Sequence, residues 1–332
     1  MNDKDVMLKV RNLKVVFPSE AGIIRAVEGI DLDIHQGECC AIVGESGCGK
    51  SVTSLAIMKL LSSPPAVVRM DELKLDGEEL KDYSEIQMQD IRGKEISMIF
   101  QDAMTALNPV MTIGKQIDEL YIRHNHLSKK EARKSTILAL ELVGVPDAKA
   151  RAKNFPHQLS GGLRQRVLIA MAFACMPKLI IADEPTTALD VTIQAQVLAV
   201  LNDMQKMHNL SLLLITHDLS VVYNIADTVY VMYCGKIVEK ASVKQLFENP
   251  HHPYTVGLLA SVPKLSDTGH HFVQIPDCVP HPMFKPQGCY FHPRCTHATE
   301  KCTQKMPPLV KVDGNRLIRC WNMLNVKKEE VK

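Results

Sequence analysis

Residues 44–51 read G-E-S-G-C-G-K-S. No other stretch constrains the fold as much, because the octet matches the phosphate-binding loop pattern G-x-x-x-x-G-K-[ST] in full. Gly44, Gly47 and Gly49 let the backbone turn tightly, so that its N–H groups, those of Glu45, Ser46 and Cys48 among them, aim inward at phosphate oxygens. Lys50 brings a positive charge to β- and γ-phosphates. The Ser51 hydroxyl can coordinate Mg²⁺. The helix that Lys50, Ser51 and Val52 open points its positive N-terminus at the same anion. Such a loop needs a strand before it and a helix after it. Cys39 to Val43 is a short apolar run suited to a buried parallel strand, and a helical pattern runs from about Lys50 to Leu61, with Pro64 and Pro65 to stop it.

The rest of the chain supplies matching elements. Residues 6–43 read as short strands: Leu8, Val10, Leu13, Val15 and Phe17 alternate loosely, and Ile30, Leu32 and Ile34 cleanly. Residues 66–100 mix short strands and polar turns. Residues 113–143 are helical, with S-K-K-E at 128–131 as a capping box. Further helices are predicted near 160–176, 191–207 and 219–225. Strands are predicted at 179–182 and 212–216, and a strand pair at 229–232 and 236–239 turns at Cys234-Gly235. Strands alternating with helices predict an α/β fold with a largely parallel sheet.

Composition narrows the function. A chain of 332 residues can hold one large domain or two smaller ones. A formal net charge of +2 and only 5% aromatics argue against a nucleic-acid partner. A bilayer-spanning helix needs about 20 mostly apolar residues, and the longest candidate, Val167 to Met176, is half that. The first residues, M-N-D-K-D-V-M-L-K-V, lack the apolar core of a secretory signal. The expectation is a cytosolic protein, in which structural disulfides are disfavoured. Cys39, Cys40, Cys48, Cys175 and Cys234 then read as small core or loop residues.

A second chemical site lies at 179–185, L-I-I-A-D-E-P. An apolar strand ends in two carboxylates, where a parallel sheet presents its ligands. Asp183 is placed to hold the Mg²⁺ shell, and Glu184 to polarise an attacking water as general base. A third motif, L-S-G-G-L-R-Q-R at 159–166, makes a small, open helix N-terminus of Ser160, Gly161 and Gly162, again suited to an anion.

That third motif resembles the signature of ATP-binding cassette (ABC) ATPases. In the family it closes, with Gln165 in the same stretch, over ATP bound to a second subunit. Other family positions follow in order. Phe17 corresponds to an aromatic that stacks on adenine. Gln101, in I-F-Q-D, matches the glutamine that touches Mg²⁺ and the water. T-A-L-D at 187–190 resembles a loop, with Asp190, that contacts the opposite subunit. His217, in I-T-H-D, matches the histidine at the γ-phosphate. L-N-P at 107–109, E-P-T-T-A-L-D-V-T at 184–192 and H-H-P-Y-T-V-G-L-L-A-S-V-P at 251–263 are similar to D-type ATP-binding subunits of dipeptide, oligopeptide and nickel importers. Ala103 and Leu163 depart from common family residues without removing a ligand.

The resemblance implies a P-loop ABC domain over 1–249, with a parallel-sheet core, an antiparallel β subdomain and a helical subdomain at about 102–176. It implies ATP and Mg²⁺ as cofactors. The implied partners are a second, homologous ATPase subunit in a heterodimer, two transmembrane permease subunits and, indirectly, an extracytoplasmic solute-binding protein. The implied location is peripheral, on the cytoplasmic face of the inner membrane. A soluble ABC ATPase acting on DNA or ribosomes would usually carry two cassettes or a coiled-coil insertion, and a purely regulatory module would lack Glu184.

Residues 250–332 change texture, with most of the prolines and a cluster of cysteines. They read as an irregular appendage with a frayed K-K-E-E-V-K terminus. Cys289, Cys295, Cys302 and Cys320 are spaced C-x5-C-x6-C-x17-C, without the tight C-x2–4-C knuckle usual for zinc. The importer resemblance implies a [4Fe–4S] cluster on these four thiolates; Zn²⁺ and no metal remain alternatives. Cys278 falls outside the pattern.

Overall fold

The computed structural model describes residues 5–187, 190–261 and 275–324. Two compact units divide the chain. One is built chiefly of Leu75–Leu214, with the short pieces Met1–Leu8 and Ile34–Glu38; the other comprises Lys9–Asp33, Cys39–Lys74 and Ile215–Lys332.

The expected short strands near the N-terminus are two long ones, Val6–Ser19 and Gly22–His35, most of whose residues belong to the second unit. Leu8, Val10, Leu13 and Val15 are all buried although the spacing slips by one between Val10 and Leu13. Asn12, at φ 50°, takes up the extra residue, so both apolar pairs face the core. Val67–Arg69 adds antiparallel to the first of these strands, Lys14 opposite Arg69.

Cys39–Val43 is wholly buried and runs parallel to Thr228–Tyr233. That strand turns back into Lys236–Ser242. The turn residues Cys234 and Gly235 both have positive φ, as a tight two-residue hairpin requires. Arg316–Ile318 then pairs with Lys236–Ser242, and Val310–Asp313 with Arg316–Ile318. These last two strands were not expected from a proline-rich stretch. They are three and four residues long, too short for an alternation to register. Helix Lys50–Ile57 follows the phosphate loop but ends at Met58, where Lys59 adopts φ 52°. Pro64 and Pro65 therefore lie beyond the end of the helix and are not what stops it.

In the first unit Ile96–Ile99 runs parallel to Leu179–Asp183, and Ser211–Thr216 lies on the other side of the latter. The helical stretch at 113–143 is two helices. Ile113–Asn125 ends at a left-handed His126, and Lys129–Leu142 begins at the expected Ser128–Glu131 capping box. Asp118 accepts from Thr136 at 2.6 Å and pairs with Arg133, tying the two together. Gly161–Phe173 packs on both, on strand Ile96–Ile99 and on helix Val191–His208. Its buried side chains extend around most of its circumference, which explains why residues 167–176 read as an unbroken apolar run. Helix Glu85–Ile91, capped by Ser84 and Gln87, lies where only strands and turns were expected. No helix among the described residues is long and apolar enough to cross a membrane.

Candidate functional site

The phosphate loop sits in the second unit between strand Cys39–Val43 and helix Lys50–Ile57. Gly44 has φ 153°, and a Cβ there would lie 2.2 Å from the Met232 carbonyl oxygen. Gly49, at φ 108°, would meet the Ala26 carbonyl at 2.5 Å. Both positions exclude a side chain on two grounds, backbone angle and space. Lys50 is 4% exposed and its Nζ donates to the carbonyls of Gly44 and Glu45 at 2.8 and 3.1 Å. The ammonium is thus held within the loop. The Glu45 N–H donates to the Tyr254 hydroxyl at 2.9 Å, a partner 209 residues along the chain that no phosphate-loop pattern includes. Cys48 is fully buried, which pushes its thiol up from its ordinary range and makes it a packing residue of the loop. Phe17, half-buried near the end of its strand, and His217, exposed just after strand Ser211–Thr216, belong to this unit too.

The first unit carries the carboxylates. Asp183 is buried at the end of strand Leu179–Asp183, and Glu184 follows at φ 46°. A left-handed glutamate is uncommon and costs about 1–3 kcal/mol, so its surroundings must hold it. Two donors converge on its Oε2: Gln101 Nε2 at 2.9 Å and the Thr187 hydroxyl at 2.9 Å. Thr187 entered the sequence reading only as part of a loop motif; its hydroxyl role was not legible there. Ala188 and Leu189 of that motif lie outside the described residues. Asp190 is exposed and caps helix Val191–His208 by accepting from the Ile193 N–H at 3.0 Å.

Ser160 is exposed and stands extended at the N-terminus of helix Gly161–Phe173, with no side-chain capping bond. Its hydroxyl and the first amides of a 13-residue helix therefore share one end. A Cβ on Gly162 would come within 2.6 Å of Ile193, so the glycine permits close approach of the two helices. Gln165 differs from the other signature positions: it is buried, and its Nε2 lacks a hydrogen-bond partner among the described residues. The L-N-P segment is held by buried Gln116, which accepts from the Asn108 N–H and donates to the Asn108 and Met111 carbonyls. Beside it Met104 and Val110 are 68% and 79% exposed.

Cys289, Cys295, Cys302 and Cys320 line one small pocket with His252, Phe291 and Trp321. The Asn322 N–H donates to Cys320 Sγ at 3.3 Å, and its amide to Cys302 Sγ at 3.7 Å. Burial pushes the Cys289 and Cys295 thiols up, and that of Cys320 to about 12. Among the described residues no three His, Cys, Asp or Glu side chains converge as the ligands of a single ion would. The four thiols are soft donors of the type that iron–sulfur clusters use, and two of them, Cys302 and Cys320, accept from Asn322. Cys278 is exposed and outside this pocket.

A complete phosphate loop, a strand-end carboxylate pair with its glutamine, and a serine-glycine helix start define an ABC ATPase. The ABC transporter family profile matches residues 27–187, and that of the oligopeptide/dipeptide transporter C-terminal region matches residues 238–302. The chain belongs to the ABC transporter ATP-binding proteins, in the branch that carries this C-terminal region. It is 49% identical to the oligopeptide transport ATP-binding protein OppD of Bacillus subtilis, over 95% of this chain and 88% of the relative. It is 48% identical to the dipeptide transport ATP-binding protein DppD of the same organism, over 95% of this chain and 94% of that one. Among solved structures it is similar to the dimeric ATP-binding cassette MJ0796 in a post-hydrolysis state bound to ADP and Pi. There the TM-score is 0.64 and the identity 27%, over 71% of this chain and 99% of the other.

Proposed function

We propose that this protein is the D-type ATP-hydrolysing subunit of an importer of dipeptides or oligopeptides. Residues 1–249 form the nucleotide-binding domain, with its helical subdomain at about 102–176, and residues 250–332 its extension. The observation that carries the catalytic part is the Gln101–Glu184 contact, which aims an amide and a carboxylate together at the end of two parallel strands. The cargo class rests on the curated relatives at about half identity over nearly the whole chain.

In this reading Gly44, the amides of residues 46–52 and the Lys50 ammonium bind the triphosphate, while the Glu45 N–H, expected to face the phosphates, is instead taken by the Tyr254 hydroxyl; Phe17 stacks on the base. Ser51, Gln101 and Asp183 offer a hydroxyl, an amide and a carboxylate, oxygen donors that suit Mg²⁺; the ion, when bound, neutralises charge on the β- and γ-phosphates. Glu184 accepts a proton from the attacking water, Gln101 and Thr187 fix its carboxylate, and His217 donates to the γ-phosphate. Ser160, Gly161, Gly162 and Gln165 complete the nucleotide site of a second, homologous ATPase subunit, with Asp190 near that contact. The exposed Met104, on the short helix Ala103–Ala106, and Val110, in the segment pinned by Gln116, contact the transmembrane part of the importer, which comprises two permease subunits, at the cytoplasmic face of the membrane. An extracytoplasmic binding protein delivers the solute to them. Cys289, Cys295, Cys302 and Cys320 would hold a [4Fe–4S] cluster that staples the extension.

Uptake of labelled dipeptide and of ⁶³Ni²⁺ is measured in a strain lacking this gene, with and without the restored protein. Restored dipeptide uptake is expected; restored nickel uptake alone would replace the cargo. Iron and acid-labile sulfide in anaerobically purified protein test the cluster, and a colourless protein loaded with zinc would exclude it.

A further inference from the structure

Glu45 is a chemical anomaly within its loop. It sits among amides that face an anion, and a carboxylate there adds negative charge where negative charge must bind. The structure compensates it. Arg294 Nη1 and Nη2 donate to Glu45 Oε2 and Oε1 at 2.7 and 2.9 Å, a two-pronged pair. The Arg294 side chain is only 2% exposed. It is held in place on every side: Nε donates to the Pro276 carbonyl at 2.8 Å, and the guanidinium lies over the rings of Tyr233 and Phe291. Tyr254, which accepts from the Glu45 N–H, packs against the same two rings. The backbone and the carboxylate of one loop residue are thus both fixed by residues from the C-terminal extension. Arg294 also directly precedes Cys295 and shares its short segment with the cysteine pocket.

We propose that Arg294 is a positioning residue for nucleotide binding: by neutralising and orienting Glu45 it lets the C-terminal extension set the affinity of the phosphate loop for ATP. The proposal rests on the reading of residues 44–51 as the ATP loop. A charge-neutral anchor would not serve, because Glu45 would then confront the triphosphate uncompensated in a site of reduced dielectric. The pair also connects two features far apart in the chain: an acidic residue inside an anion site and a buried arginine about 250 residues away.

The test is the dissociation constant of Mg²⁺-ATP on the full-length protein, by calorimetry at low and physiological salt. Arg294→Gln is expected to weaken ATP about tenfold, more at low salt, while thermal unfolding is followed in parallel. Glu45→Gln alone is expected to bind ATP at least as tightly as the wild type. The double variant Arg294→Gln/Glu45→Gln should return to within about threefold of the wild type, since it removes both charges. A merely structural brace would give no such rescue. Wild-type affinity in Arg294→Gln, no rescue in the double variant, or a tenfold loss in Glu45→Gln would each overturn the proposal. If Arg294→Gln does not fold, Arg294→Lys, which keeps the charge, takes its place beside Glu45→Gln and should bind within about threefold of wild type; a loss of tenfold or more there would overturn it. A wild-type protein that binds no ATP would instead overturn the reading of residues 44–51, and this proposal with it.

Discussion

Gln101 and Glu184 meet at 2.9 Å because two strands share one register. Ile99 lies opposite Ala182 in the parallel pair, and each functional residue comes two positions later. The pleat then sends both side chains out at the same strand ends. Glu184 takes a left-handed backbone, and the Thr187 hydroxyl donates to the same carboxylate oxygen as the amide.

Replacing Glu184 by Gln keeps the shape and removes the proton acceptor. ATP turnover should fall roughly 10²- to 10⁴-fold, the usual contribution of a general base. Phosphate release and nucleotide retention are the readouts. ATP is expected to stay bound in a closed pair of subunits, and a normal turnover rate would remove Glu184 from this role.

Lys50 is buried and already bonded within the loop, so Lys50→Ala deletes a charge without creating exposed apolar surface. ATP affinity should drop about 10- to 100-fold, as expected for one charge-assisted hydrogen bond. Equilibrium binding of a fluorescent ATP analogue measures it, with a melting curve to show that the fold persists.

Glu239 is fully buried, accepts the N–H groups of His251 and His252 at 3.1 and 3.0 Å, and pairs with Arg316. This cluster joins the last sheet strand to the start of the extension. Arg316→Met would leave the carboxylate unpaired in the interior and should destabilise the protein by about 3–5 kcal/mol. Chemical denaturation of the variant against the wild type gives the value. A loss below about 1 kcal/mol would show that the two backbone donors suffice.

Burial alone would push the Glu28 carboxyl up, yet the Lys285 ammonium at 2.7 Å and the Tyr290 hydroxyl at 2.8 Å, with Lys236 nearby, hold it below its ordinary 4.5. A folded-state value below the unfolded one means that the stabilisation is complete above about pH 4.5 and is lost as pH falls through the folded value. The stability difference between wild type and Glu28→Gln should therefore be constant above that pH and shrink below it. Urea titrations at a series of pH values follow the difference directly.

The sequence by itself determined the local structure of contiguous motifs. The phosphate loop, the strand-end carboxylates, the signature start and the Ser128 cap were all legible, because a loop that folds around an anion, or a helix that must cap itself, writes its needs into neighbouring positions. The long strand at 6–19 was half-legible: its alternation was visible, but not that Asn12 would absorb the slip. What depends on distant residues was decided only by the tertiary structure. Thr187 needed Glu184 to adopt a left-handed turn before its hydroxyl had a target. Arg316–Ile318 became a strand only because Lys236–Ser242 offered it an edge. Arg294 had no readable partner until the fold brought it to Glu45. Buried charge must find its counter-charge in three dimensions, and sequence spacing says nothing of which one it will be.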